Sequence, residues 1–311
     1  MSNPSPIGFV GLGAMGMGMA TTLVKAGFAV QGYDVSPAAV ARFVEAGGRG
    51  AETAAEAARG ADVLVVMVVS GEQAEAVLFG DDGAAEALPR GSVIMLCSTV
   101  APAYARAAGE RVRARGLEML DAPVSGGVVR AAEGKLSIMA SGSAAAFAKT
   151  APLLAVLAER VYRLGDECGQ GSTVKMVNQL LAGIHIAAAA EAMALGVKAG
   201  VDPQQLYEVI SNSAGSSWMF QNRVPHMLAG DYTPLSAVEI FVKDLGIVLE
   251  TGKQQRFPLP LAAAAHQMFL MAAAAGYGRL DDAAVVKVFE QLAGISVSAN
   301  PDAGKQSATG E

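Results

Sequence analysis

The chain has 311 residues, enough for two domains with full hydrophobic cores. At 52% hydrophobic, 17% charged and 5% aromatic it is not a disordered protein, and a net charge of −6 argues against nucleic-acid binding, which needs a basic patch. Two widely separated cysteines, Cys97 and Cys168, point to a reducing, cytoplasmic compartment, and His185, His226 and His266 have no metal-ligand spacing, so no metal is expected.

Met1–Pro6 carries neither Lys nor Arg, and the apolar stretch after it is broken by Gly11, Gly13, Gly16 and Gly18, so no secretory leader is expected. Ile7–Val10 is a short apolar run ending at glycine and predicts a strand. A helix follows from Ala14 to about Ala26, closed by Gly27, and then a strand over Ala29–Tyr33. Further strands are expected over Asp62–Val69, Ser92–Leu96, Leu117–Ala122, Leu136–Ala140 and Val161–Leu164, with alanine-rich helices between them. This alternation predicts a doubly wound, mostly parallel α/β sheet of the Rossmann type over residues 1–165.

The alternation stops near Gly165. Ser172 is placed to cap a helix running to about Ala199, and at 1.5 Å per residue such a helix spans roughly 42 Å, long enough to join two domains. Its apolar stretch, Leu180–Val197, contains His185 and Glu191, which favours a buried helix over a membrane span. Helices are then expected over Pro203–Asn212, Trp218–Leu228, Ser236–Lys253, Pro260–Ala275 and Asp281–Ala293, making 166–295 an all-helical domain, with a polar tail over 296–311.

Four segments carry chemistry. Gly11-Leu12-Gly13-Ala14-Met15-Gly16 is a G-x-G-x-x-G between a strand and a helix, with glycines for a tight turn, close approach to a pyrophosphate, and helix–strand packing. Asp34 ends the next strand 18 residues after Gly16, where a carboxylate accepts from adenosine ribose hydroxyls and repels a 2′-phosphate. That favours NAD over NADP, although Asp34 also suits a helix cap before Ser36-Pro37. Met67, Val68 and Thr99 follow later strands and are expected beside the same crevice.

Ser125-Gly126-Gly127, within Asp121-Ala122-Pro123-Val124-Ser125-Gly126-Gly127, offers a hydroxyl and unobstructed N–H groups suited to a carboxylate, or an ordinary turn. Lys175, Asn178 and Gln179 share one face of the long helix at offsets of three and four. A lysine among Val174, Met176, Val177, Leu180 and Leu181 loses proton affinity by desolvation, or else snorkels outward. His185 reads as a packing histidine. The Lys243-Asp244 pair taken alone reads as surface. Trp218, Phe220, Asn222 and Phe241 are candidates for the substrate side.

In this order GLGAMG, DAPVSGG, GQGSTVKMVNQ and the late Lys-Asp pair resemble the β-hydroxyacid dehydrogenase family over roughly residues 7–293. The resemblance implies a Rossmann domain, a long interdomain helix and a helical domain that forms homodimers or homotetramers, acting on a small hydroxy acid with neither nucleic acid nor membrane as partner. It implies that Gly11, Leu12, Gly13, Ala14, Met15, Gly16, Asp34, Met67, Val68, Thr99 and Lys243 hold NAD. It further implies that Ser125, Gly126 and Gly127 hold a carboxylate, that Asn178 and Gln179 orient the substrate, and that Lys175 is the general acid/base. Two positions depart from the pattern: Gln179 stands where many members carry Asn, and Arg130 where the residue is often small.

Overall fold

The computed structural model describes residues 6–298, and the expected tail from residue 299 onward lies outside them. The chain divides into two compact units between Met176 and Val177.

Among the described residues the first unit is built on nine strands: β1 Ile7–Val10, β2 Val30–Tyr33, β3 Arg49–Gly50, β4 Val63–Val66, β5 Val93–Leu96, β6 Glu118–Asp121, β7 Val124–Ser125, β8 Leu136–Gly142 and β9 Ala158–Arg163. Their order is β3-β2-β1-β4-β5-β6-β8-β7, with β9 paired to β8. From β3 to β6 every pair is parallel. β8 runs antiparallel to β6 and β7 and parallel to β9. The strand order reverses at β1, the topological point where α/β sheets open a crevice at the carboxyl ends of their strands. β1, β4 and β5 are buried along their full length, as strands covered on both faces must be, and so appear in the sequence as unbroken apolar runs.

The expected strand over Asp62–Val69 is shorter in the structure. It ends at Val66, although Met67 N–H still donates to the Val10 carbonyl. β3 and β7 are two residues each, too short to show a period.

The helix Ala14–Lys25 packs on the helix Gly127–Glu133 at a glycine. A Cβ on Gly18 would sit 3.0 Å from the Ala132 nitrogen. One turn on, Thr22 Oγ1 donates to the carbonyls of Ala131 and Ala132 at 3.2 and 3.1 Å, satisfying acceptors at the end of the second helix.

The long helix spans Gln170–Lys198, and the division between the units falls inside it. It starts two residues before Ser172. It is long and apolar enough to cross a membrane, yet it buries Ile186, Ala187, Ala189, Ala190, Met193 and Ala194 within the protein.

In the second unit Gly183 of this helix lies against Leu245 and Gly196 against Leu206. Around it stand the helices Pro203–Ser211, Trp218–Ala229, Val238–Gln254, Pro260–Ala272 and Val286–Ala293. Asp202 and Ser217 cap the first two of these. The helix expected over Pro260–Ala275 ends at Ala272 and passes into a wider turn, Ala273–Tyr277. There Gly276 takes φ 89°, which α-helical geometry does not allow. A buried ion pair, Arg223 to Asp282 at 2.5 and 3.1 Å, ties the helix Trp218–Ala229 to the short 3-10 turn Asp282–Val285.

Candidate active site

The glycine loop follows β1 at the strand-order reversal. Gly11 takes φ 98°, and a Cβ there would lie 2.2 Å from the Met67 carbonyl oxygen. A Cβ on Gly16 would lie 1.8 Å from the Gly11 carbonyl oxygen, so the loop closes only on glycines. Gly13 meets nothing within 4 Å on its Cβ side and is exposed together with Ala14. The first intrahelical bond runs from Met17 N–H to Gly13, which leaves the N–H groups of Ala14, Met15 and Gly16 without an intrahelical acceptor. An open glycine followed by three such donors at a helix N-terminus fits a pyrophosphate.

Asp34 belongs to this loop as much as to β2. Its Oδ2 accepts from Leu12 N–H at 2.7 Å and its Oδ1 from Ser36 N–H at 2.8 Å. The helix-cap and ribose readings are therefore not exclusive, since each oxygen keeps a second lone pair. Leu12 is fully buried with its N–H committed to Asp34, so it shapes the loop and offers a ligand little of itself. Beyond β4 the half-buried Met67 and Val68 are held in place when Val68 N–H donates to Ser98 Oγ at 2.9 Å. Ser98 is buried and Thr99 after it half-buried.

Ser125 ends β7, and Gly126 and Gly127 follow with φ 137° and 74°. A Cβ on Gly127 would meet nothing within 4 Å, whereas one on Gly126 would meet Arg130 at 3.0 Å. Arg130 pairs with Glu159 at 3.4 Å on exposed surface.

Asp121, named in the sequence only as the start of this segment, is fully buried. Its Oδ2 accepts from Gly169 N–H at 2.8 Å, Ser172 N–H at 2.9 Å and Ser141 Oγ at 3.3 Å, and its Oδ1 from Ser172 Oγ at 2.6 Å. Ser141 Oγ in turn accepts from Gly171 N–H at 3.0 Å. Asp121, and not Ser172, thus caps the long helix, where a carboxylate meets both orphan N–H groups and the positive end of the dipole. Burial pushes its carboxyl up, and the donors from Ser172, Gly169 and Ser141 pull it back. Lys175 lies one turn further along the same helix and is 7% exposed.

In the second unit a polar chain links two helices. Asn178 Nδ2 donates to Gln179 Oε1 at 3.0 Å, and Gln179 Nε2 donates to Asp244 Oδ2 at 2.6 Å. Lys243 Nζ donates to Asp244 Oδ1 at 2.5 Å. Asp244 is 2% exposed, so the pair that reads as surface in the sequence is half interior. The helix period carried the signal, because Asp244 shares a face with the buried Phe241, Leu245 and Val248.

Phe220 and Phe241 are core residues, stacked on Tyr207 at 6.0 Å and on Phe269 at 5.1 Å. Trp218 is exposed, Asn222 Oδ1 accepts from Arg223, and His185 is half-buried. A surface groove of about 490 Å³ lined by Phe147, Ala151, Leu154, Val161 and Arg163 contains none of the site residues.

Comparison with known proteins adds a second line of support. Residues 6–165 match the family model described as the NAD binding domain of 6-phosphogluconate dehydrogenase. Residues 169–289 match that described as the NAD-binding of NADP-dependent 3-hydroxyisobutyrate dehydrogenase. The L-threonate dehydrogenase of Cupriavidus necator is 57% identical over 283 residues, covering 91% of this chain and 95% of that protein. The L-threonate dehydrogenase of Escherichia coli O6:H1 is 52% identical over 287 residues, covering 92% and 95%. The crystal structure of 3-hydroxyisobutyrate dehydrogenase from Salmonella typhimurium is similar with a TM-score of 0.86 at 50% identity, covering 91% of this chain and 99% of that one.

Proposed function

This chain belongs to the β-hydroxyacid dehydrogenase family as an NAD-dependent enzyme, and from that premise we propose that it oxidises L-threonate at C2 to the 2-oxo acid. The observation that carries the substrate is the likeness, over nine-tenths of the chain, to proteins named L-threonate dehydrogenase. The site residues support the chemistry.

NAD supplies the acceptor for the hydride that leaves C2. The N–H groups of Ala14, Met15 and Gly16 hold its pyrophosphate, Asp34 its adenosine ribose, and Met67, Val68 and Thr99 line its cleft. Lys243 contributes from the helix Val238–Gln254. Ser125 Oγ and the N–H groups of Gly126 and Gly127 bind the substrate carboxylate. Asn178 and Gln179 orient the substrate. Lys175 takes the C2 hydroxyl proton as the C–H bond gives up its electron pair, and a carbonyl forms. Such proton transfer is worth about 10²–10⁴-fold.

The same reading makes the enzyme a cytoplasmic homodimer or homotetramer. Two buried free cysteines and the exposed Val177, Leu181 and Leu195 along the long helix support it.

Initial rates of NADH formation on L-threonate, 3-hydroxyisobutyrate and glycerate, each with NAD and NADP, test the proposal. L-threonate with NAD is expected to give the highest kcat/KM, without CO2 release. A higher kcat/KM on 3-hydroxyisobutyrate would move the assignment to the activity named for the Salmonella structure, and stoichiometric CO2 would place the oxidation at C3.

A further inference from the structure

The polar chain of the second unit has a direction. We propose that Asp244 is a positioning residue that sets the polarity of two amides, so that Asn178 presents its carbonyl oxygen to a substrate hydroxyl. The inference rests on the reading that Asn178 contacts the substrate.

A carboxylate with an ammonium on one oxygen only accepts on the other. Lys243 Nζ occupies Oδ1, so the group facing Oδ2 must donate, and Gln179 turns its Nε2 there. Gln179 Oε1 then faces Asn178, which must offer Nδ2. Both ends of the Gln179 amide are thereby used, and the buried side chain acts as a relay. Asn178, half-buried at the open end, is left with Oδ1 as its free acceptor. An acceptor in that place selects substrates with a hydroxyl beyond the one oxidised. A shorter Asn at position 179 has one methylene less with which to span Asn178 and Asp244, so Gln179 is the residue that makes the relay possible.

Asp244→Asn breaks the direction. The new carboxamide keeps its oxygen toward the Lys243 ammonium and turns NH2 toward Gln179. Gln179 must flip, Asn178 must flip after it, and Asn178 then presents NH2 outward. The paired change Asp244→Asn with Gln179→Glu restores the original polarity, since the carboxylate at 179 accepts from the carboxamide on one side and from Asn178 Nδ2 on the other.

The test is steady-state kinetics on the full-length enzyme, with NADH affinity read by fluorescence. Asp244→Asn is expected to lower kcat/KM for L-threonate by about tenfold to a hundredfold, through KM, with NADH affinity retained; the paired variant is expected to recover most of the loss. A paired variant no better than Asp244→Asn, or an Asp244→Asn enzyme with unchanged KM, overturns the inference.

Should Asp244→Asn fail to fold, Asn178→Ala decides. Wild type is expected to prefer L-threonate over its 3-deoxy or 4-deoxy analogue by about tenfold or more, and Asn178→Ala to erase that preference. An undiminished preference overturns the inference. If wild type oxidises a different hydroxy acid, the substrate assignment fails, and the same variants are read on that acid and its deoxy analogue, where recovery by the paired change still decides.

Discussion

Replacing Asp121 separates what its shape does from what its charge does. Asp121→Ala removes the acceptor of Gly169 N–H, Ser172 N–H and Ser172 Oγ, all within 2.9 Å and all buried. Each buried donor left unpaired costs about 1–3 kcal/mol, and loss of the buried carboxylate's own desolvation penalty offsets part of that. A net destabilisation of about 3–5 kcal/mol corresponds, for a unit of this size, to a fall in Tm on the order of 6–20 °C.

Asp121→Asn keeps the pattern. Its oxygen accepts from the two N–H groups, and its NH2 donates to Ser172 Oγ, whose hydroxyl rotates. Because burial raises the Asp121 carboxyl in the folded state, its stabilising contribution is fully present below the unfolded pKa and is lost as pH rises through the folded one. The Asn variant lacks that loss, so its stability relative to wild type should improve from acid toward neutral pH. Urea unfolding of the three proteins across pH measures both effects. An Ala variant as stable as the Asn variant, or a wild-type-to-Asn gap that moves the other way with pH, would refute the reasoning.

Lys175→Ala should lower kcat by at least about 10²-fold while NADH fluorescence still titrates; near-normal turnover would remove the lysine from the proton transfer. Asp34→Asn keeps one acceptor oxygen for the Leu12 and Ser36 N–H groups, sets an NH2 against the other and loses the charge, so kcat/KM should fall with NAD while the NADP-to-NAD ratio rises, and an unchanged ratio would show that selectivity lies elsewhere. Asp282→Ala leaves the Arg223 guanidinium buried without its bidentate partner and should cost about 3–5 kcal/mol, whereas Arg223→Met with Asp282→Leu should recover most of that in thermal unfolding.

What could be read from the sequence follows physical range. Ile7–Val10 was legible to the residue because its burial is set by neighbours on both faces and its end by a glycine that only one backbone conformation fits. The glycine loop and Asp34 were legible together for the same reason, since their spacing is local. The Gly169–Ser172 cap was not. Its acceptor comes from Asp121, 48 residues earlier than Gly169, and a serine at the expected position looks sufficient. β7 and β3 are strands only because β8 and β2 pair with them. Asp244 was hidden by its own charge. Composition places an aspartate outside, and only the buried face it shares with Phe241 and Leu245 places it inside.

The contact at Gly18 makes two loops one rigid part. The helix that begins at Ala14 and the helix that begins at Gly127 touch through a glycine and a threonine, with no side-chain layer between them to yield. Their N-termini, which on our reading seat the pyrophosphate and the carboxylate, keep a fixed spacing whatever the sheet beneath them does. With that spacing set before either ligand binds, neither has to order the seat of the other, and reciprocity requires any coupling between them to be the same in both directions. Order of addition would then be a matter of rates, with one common affinity for the ternary complex by either route.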